Sequence, residues 1–375
     1  MGFKVDVDKV VSQFTKIASM DSVSFGEREV ADYLKHELRS LGFKVQEDNI
    51  GARYGSDTGN IYAILEASNP NKEPVLFSAH MDTVVPGIGK MPMVDKNKGV
   101  IKSEGDTVLG ADDVAGIVEI LEGIRLAKNA PEGHGDIEVL FTIAEEVYAK
   151  GSSVLDYSKI KSRTAFVLDL EGRIGTAARI APSIITFEFV VKGRAAHAGF
   201  DPESGINAIA LASKIVAHTR QGRVEEHLVF NVGSIEGGEA TNIVSPYCRC
   251  KGETRSINHK TAMSAIDKLE YRVSRACGEA GAGYSFERNV MHKAYETPED
   301  SDACRAFKEA CETLDLEGNL ISTGGGSDNN EFARFGIKGI VLSCGMENVH
   351  STREYVRIKD LEMGSKLVAT IINQR

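Results

Sequence analysis

Two periodicities alternate along the first half of the chain. Helix-spaced apolar positions recur in VDKVVSQFTKIAS (7–19) and REVADYLKHELRSLGF (28–43). Short β-branched or aromatic runs fill NIYAILEA (60–67), PVLFSAHMDTV (74–84), IEVLFTIAEE (137–146) and TAFVLDLEG (164–172), which reads as four strands. With the helical stretch DDVAGIVEILEGIRLAKN (112–129) in their midst, they predict a layered α/β domain on a largely parallel or mixed sheet. Ligands in such folds gather at the strand ends.

From about Pro182 the rhythm becomes strand (184–193), helix (205–220), two strands (228–237 and 241–256), helix (261–281) and strand (284–292). This is the β-α-β-β-α-β order of a ferredoxin-like unit. After it come a helix, the turn STGGGSDNN (322–330), a helix start, the strand GIVLSCG (339–345) and a final helix from about Asp360. The expected organisation is one domain made of residues 1–181 and 295–375, interrupted by a small α+β domain at 182–294. A chain of 375 residues is long enough for two cores.

Composition narrows the partners. Lys plus Arg number 44 against 54 Asp plus Glu, a formal charge of −10, which disfavours nucleic acid and anionic membranes. The amino terminus carries charges every few residues and offers neither a secretory apolar run nor a membrane span, so a cytoplasmic protein is expected. Six cysteines, at 248, 250, 277, 304, 311 and 344, crowd into the second half and read as reduced thiols. Cys248 and Cys250 share a strand face, but no second Cys/His pair at zinc-ribbon spacing accompanies them.

Charged residues at the ends of apolar strands carry the chemistry. His80 and Asp82 close one strand, adjacent Glu145 and Glu146 another, and Asp169 a third, while His350 follows the strand GIVLSCG. Asp112 and Asp113 are expected in the first turn of a helix, where an N-cap or helix-dipole role is the ordinary use of Asp. Each group alone has an ordinary reading, as a surface hydrogen bond, cap or solvated turn. Their recurrence at strand ends has a sharper one, because such charges are costly unless paired or bound to metal.

The ordered motifs SAHMDTV, LGADDVAG, AEEV, FVLDLEG and NVHSTREYV resemble the aminoacylase/carboxypeptidase G/desuccinylase family of dizinc metallopeptidases, and most closely its peptidase T-like members. The resemblance implies a catalytic α/β domain of the dizinc exopeptidase type, a mixed sheet flanked by helices, with an inserted ferredoxin-like lid. It implies that His80 and Asp169 hold one metal, Glu146 and His350 the other, and that Asp112 bridges them. Asp82 would orient His80, and Glu145 would be the general base. Two divalent ions are expected; mixed imidazole and carboxylate ligands suit zinc, with cobalt or manganese as alternatives.

In the lid, His197 of GRAAHAGFDPESG resembles the family histidine that reaches over the active site. Asn242 and Arg255 resemble substrate-binding positions, the arginine suiting a planar carboxylate. Gly325 and Gly326 lie in a turn whose backbone N–H groups could cradle a carboxylate. His36, His134, His218, His227, His259 and His292 are read as structural. The expected activity is hydrolysis of short peptides from the amino terminus, with a homodimer through the lid as a further expectation. The lid segment AAHAGFDPESGINAI is closer to carboxypeptidase and acylase members, which keeps a carboxypeptidase or N-acyl-amino-acid amidohydrolase as the alternative. A silent metal- or peptide-binding homologue is the remaining one. No G-x-S-x-G elbow, Walker loop or G-x-G-x-x-G follows a strand.

Overall fold

The structure, a computed structural model, describes residues 3–128 and 130–375. It divides into two compact units. The first runs from the amino terminus to Ile180 and resumes over Glu296–Thr323 and Ser327–Arg375; the second comprises Ala181–Tyr295 with Gly324–Gly326.

At the centre of the first unit four neighbouring strands run parallel in the order Ile137–Thr142, Val75–His80, Thr164–Leu170 and Lys338–Ser343. Lys44–Glu47 and Ile61–Leu65 extend one side antiparallel, and Thr176–Ala181 extends the other. Each central strand is an apolar run because both faces are covered. Phe77, Val139, Phe141, Phe166, Leu168, Ile340 and Leu342 point into one core with the helices Val7–Ala18, Arg28–Ser40, Ala111–Ala127 and Ile358–Gln374. The alternate positions Leu76, Leu140, Ala165, Val167 and Val341 point into a second core with Tyr157 and Phe332. Parallel strands place all their carboxyl ends on one edge, so His80, Glu145, Glu146 and Asp169 emerge together.

The second unit is a five-stranded antiparallel sheet, in the order Gly222–Glu225, Leu228–Gly237, Tyr247–Ser256, Ser183–Lys192, Gly283–His292. The last four strands have the ferredoxin-like arrangement, and Gly222–Glu225 is an added edge. Ile185, Phe187, Phe189 and Val191 alternate toward the helices Ala208–Ala217 and His259–Ala280. Cys248 and Cys250 lie in the same core, and all six cysteines are buried and free. A third, small sheet joins Met346–Glu347, Tyr355–Arg357, Val100–Ser103 and Pro92–Asp95. No helix among the described residues is long and apolar enough to cross a membrane.

The helix Ala111–Ala127 is buried on nearly every side and carries an unusual passenger. Glu119 is 1% exposed, and neither of its carboxyl oxygens has a hydrogen-bond partner. Burial, reinforced by Asp113 and Asp360, pushes its carboxyl well above the ordinary value of 4.5. The native state therefore keeps a proton that the unfolded chain releases above that value, and native stability falls as pH rises. One proton corresponds to a slope of about 1.4 kcal/mol per pH unit. Glu119→Gln removes this slope, so its stability relative to the parent should improve steadily from pH 5.5 to pH 8 in urea unfolding. Parallel stability curves for the two proteins would show that Glu119 does not titrate in this way.

Candidate metal centre and active site

His80 is the last residue of its strand and is buried. Its Nδ1 lies 2.9 Å from the Asp82 carbonyl oxygen and 3.4 Å from Asp82 Oδ1. With Nδ1 engaged by Asp82, Nε2 is the nitrogen that His80 presents to the site. That nitrogen is 2.9 Å from Asp112 Oδ1 and 3.7 Å from Asp169 Oδ1. Across the site His350 Nε2 is 3.2 Å from Asp112 Oδ2 and 2.9 Å from Glu146 Oε2. The two oxygens of Asp112 are thus divided between two imidazole–carboxylate pairs. Ligand atoms of His80, Asp112 and Glu146 lie within 4.8 Å of one another, as do those of His80, Asp113 and Asp169.

The electrostatics point to missing positive charge. Asp82, Asp112, Asp113, Glu145, Glu146 and Asp169 converge, yet among the described residues their only ion-pair partners are His80 and His350. Burial opposes ionisation of Asp112, but hydrogen bonds with His350 and His80 outweigh it and hold the carboxyl below its usual range. The same bonds, to Asp112 and Glu146, raise the His350 imidazole to about 10. Burial lifts Asp169 to about 7. It pushes Glu145 well above the carboxylate range, with repulsion from Asp169, Asp328 and Glu146 added. Glu146 Oε1 is buried with no hydrogen-bond partner. Buried carboxylates sharing two imidazoles, with one oxygen orphaned, fit divalent cations.

Residues 181–280 match the family profile of the peptidase dimerisation domain, and residues 60–198 that of peptidase family M28. The chain is 32% identical to the protein YqjE of Bacillus subtilis over 99% of both sequences. It is 27% identical to peptidase T of Clostridium botulinum, over 97% of this chain and 95% of the relative. The crystal structure of aminopeptidase PepT from Bacillus cereus superposes with a TM-score of 0.92 at 32% identity, over 99% of each chain. The chain belongs to the peptidase T-like metallopeptidases. A tripeptidase structure from Staphylococcus aureus, at 28% identity, gives a TM-score of 0.94 over 99% of this chain and 98% of that one.

In this peptidase T-like chain Asp82 does more than steady His80. Its Oδ1 accepts from the Glu145 N–H at 2.9 Å, and its Oδ2 accepts from the Glu146 N–H at 3.2 Å and the Ser24 hydroxyl at 2.6 Å. Asp112 and Asp113 are not in a regular helical turn: both have non-helical backbone angles, and the peptide bond between them is cis. Asp113 does cap the helix that follows, accepting from the Gly116 N–H at 3.2 Å, while its other oxygen accepts from the His80 N–H at 3.1 Å.

Glu354, which carries no signal in the sequence, anchors the Asp112 segment. One of its oxygens accepts from the N–H groups of Leu109 and Gly110 at 2.7 and 2.8 Å, the other from Asp112 at 2.9 Å. The left-handed φ of 76° at Gly110 is what turns these donors toward one carboxylate. Glu354→Ala should therefore lower metal affinity by about 10–100-fold, as loss of supporting bonds typically does. Competition with a coloured chelator would measure this, and unchanged affinity would dismiss the anchoring role.

His197, Asn242, Arg255, Gly325 and Gly326 belong to the second unit, Gly325 and Gly326 with it although the sequence suggested the first domain. The reason is packing: Arg255 donates to the Gly324 carbonyl at 3.0 Å, and Gly326 lies against the His292 ring. His197 is exposed, pairs with Ile243 as an antiparallel bridge, and stacks on Phe200. Ala198 N–H donates to the Asn242 carbonyl at 2.9 Å, which brings the two lid motifs side by side. The Gly199 N–H donates to His197 Nδ1 at 3.2 Å. Among the described residues His80 is the histidine found in the metal-competent groups of three, and His350 contacts two of their members, Asp112 and Glu146.

Proposed function

We propose that this protein is a dinuclear metal-dependent aminopeptidase that removes the amino-terminal residue from short peptides, tripeptides among them. The division of Asp112 between the His80/Asp169 pair and the His350/Glu146 pair carries the reading, since one carboxylate serving two ligand sets is what a paired-metal site needs. His80 and Asp169 would hold one ion, Glu146 and His350 the other, with Asp112 between them. Zinc suits these donors, and cobalt or manganese are alternatives. When bound, two such ions polarise a carbonyl and acidify a water.

Glu145, not itself a ligand, takes the proton of the attacking water and returns it to the leaving amine. Asp82 fixes the backbone of Glu145 and Glu146 while its carbonyl orients His80. His197, Asn242, Arg255, Gly325 and Gly326 are assigned to substrate binding. The peptidase dimerisation-domain match supports a homodimer through the second unit. Six free thiols suit a reducing, cytoplasmic setting.

Hydrolysis of di- and tripeptides, their N-acetylated forms and acylated amino acids by the metal-loaded protein, with product identification, tests the reading. Release of the first residue from free tripeptides, with the acetylated forms refused, is the expected result. Turnover of the acetylated forms would instead assign the protein to the amidohydrolases or carboxypeptidases, and no turnover of any would leave a binding protein.

A further inference from the structure

The segment Ile143–Gly151, which carries Glu145 and Glu146, is held in a conformation it would not choose. Ala144, Tyr148 and Ala149 have φ of 52°, 71° and 49°, a left-handed region that L side chains rarely adopt and that persists only where the surroundings over-determine it. The segment closes on itself: the N–H groups of Gly151, Lys150 and Ala149 donate to the carbonyls of Ile143, Ala144 and Glu145 at 3.1, 3.0 and 2.7 Å. Asp82 grips the tip, as described, and Glu27 accepts from the Ala144 N–H at 2.9 Å.

Two further side chains act differently, because each joins one end of the segment to the other. Asn60 Oδ1 accepts from the Ile143 N–H at 3.0 Å, while its Nδ2 donates to the Gly151 carbonyl at 3.0 Å. One position further out, Asp328 Oδ2 accepts from the Thr142 hydroxyl at 2.6 Å and Oδ1 from the Ser152 hydroxyl at 2.5 Å. Asn60, Thr142, Ser152 and Asp328 are all buried. Gly151 admits the first bridge, since a Cβ there would stand 2.3 Å from Asn60 Oδ1. Asp328 comes from a stretch more than 170 residues away in sequence, so the bridge is a tertiary constraint and not local turn chemistry.

We infer that Asp328 and Asn60 are positioning residues for hydrolysis, two stacked clasps across the stems of the Ile143–Gly151 segment that fix where the Glu145 carboxyl stands. The inference rests on the reading of Glu145 as the general base. Displacement of a reacting group by about 1 Å costs up to roughly 100-fold in rate, so a clasp that loosens the stem by a fraction of that is felt in kcat. Of the proposed metal ligands only Glu146 rides on the segment; His80 and Asp169 end other strands, Asp112 opens the helix Ala111–Ala127 and His350 follows Lys338–Ser343, so four of the five ligands stay in place and both ions are expected to remain bound.

Thr142→Val and Ser152→Ala each remove one hydroxyl donor, and so one arm of the Asp328 clasp, with little change in side-chain volume. Each is expected to lower kcat at least about tenfold, with KM within threefold and two metal equivalents retained. The double variant should be no slower than the slower single one, because a clasp with one arm open no longer ties the ends, whereas two independent structural bonds lose additively. Thr142→Ser, which keeps the hydroxyl, should restore kcat. Parental kcat in both single variants, additive losses in the double, or rate losses that track lost metal or lost folded protein would each overturn the clasp. Glu145→Gln measured alongside separates the two claims. An active E145Q overturns the base assignment and the clasp's purpose with it, whereas an inactive E145Q beside fully active T142V and S152A overturns the clasp alone.

Discussion

Glu145→Gln is expected to lower kcat by roughly 10³-fold, within the range general acid–base groups supply, while both metal equivalents stay bound. The side chain is buried, and its backbone N–H is fixed by Asp82 at 2.9 Å, so glutamine inherits the same position and almost the same shape. What it loses is the ability to accept a proton. The neighbouring Glu146 keeps its contact with His350 at 2.9 Å, which leaves that pair of ligands undisturbed. Burial and the carboxylates of Asp169, Asp328 and Glu146 raise the Glu145 carboxyl above its usual range in the metal-free protein. Steady-state kinetics on a tripeptide and elemental analysis of the same sample decide the matter. KM should change little, since a proton-transfer group contributes mainly in the transition state. Turnover within a few-fold of the parent would take the base role from Glu145.

The proposed ligands at strand ends were legible because each breaks a rule that buried strands obey. His80 and Asp169 are charged residues ending apolar runs, and the parallel sheet that buries both faces of those runs also lines up their ends. The ferredoxin-like unit was legible for the complementary reason: its strands alternate, with Ile185, Phe187, Phe189 and Val191 on one face. The supporting residues left no such trace. Glu354 in STREYV and Asp328 in GGGSDNN sit in polar stretches that look like any solvated turn, and each acts on groups distant in sequence. Pro92–Asp95 and Val100–Ser103, four residues each, are too short and mixed to show a strand period. Asp113 was read as a cap, which it is; its second bond, to the His80 N–H, depends on a strand 33 residues earlier.

Asp112→Ala is expected to cost both metals and not one. Asp112 is the carboxylate that both imidazoles share, with His80 at Oδ1 and His350 at Oδ2. Without it the site falls into two separate pairs, His80 with Asp169 and Glu146 with His350, and two ligands hold a divalent ion poorly. Affinity should therefore fall for both equivalents by more than about 100-fold, beyond what loss of a supporting bond costs. Activity should fall at least about 10³-fold, which corresponds to roughly 4 kcal/mol of lost transition-state stabilisation. Folding is followed separately, because the substitution also removes the contacts of Asp112 with His80 and His350. Elemental analysis after dialysis, beside near-ultraviolet circular dichroism, reads both points. Loss of a single equivalent would confine Asp112 to one ion, and retention of two would mean that the two imidazole–carboxylate pairs are joined by some other group, for which Asp113, with its ligand atom beside those of His80 and Asp169, is the nearest candidate.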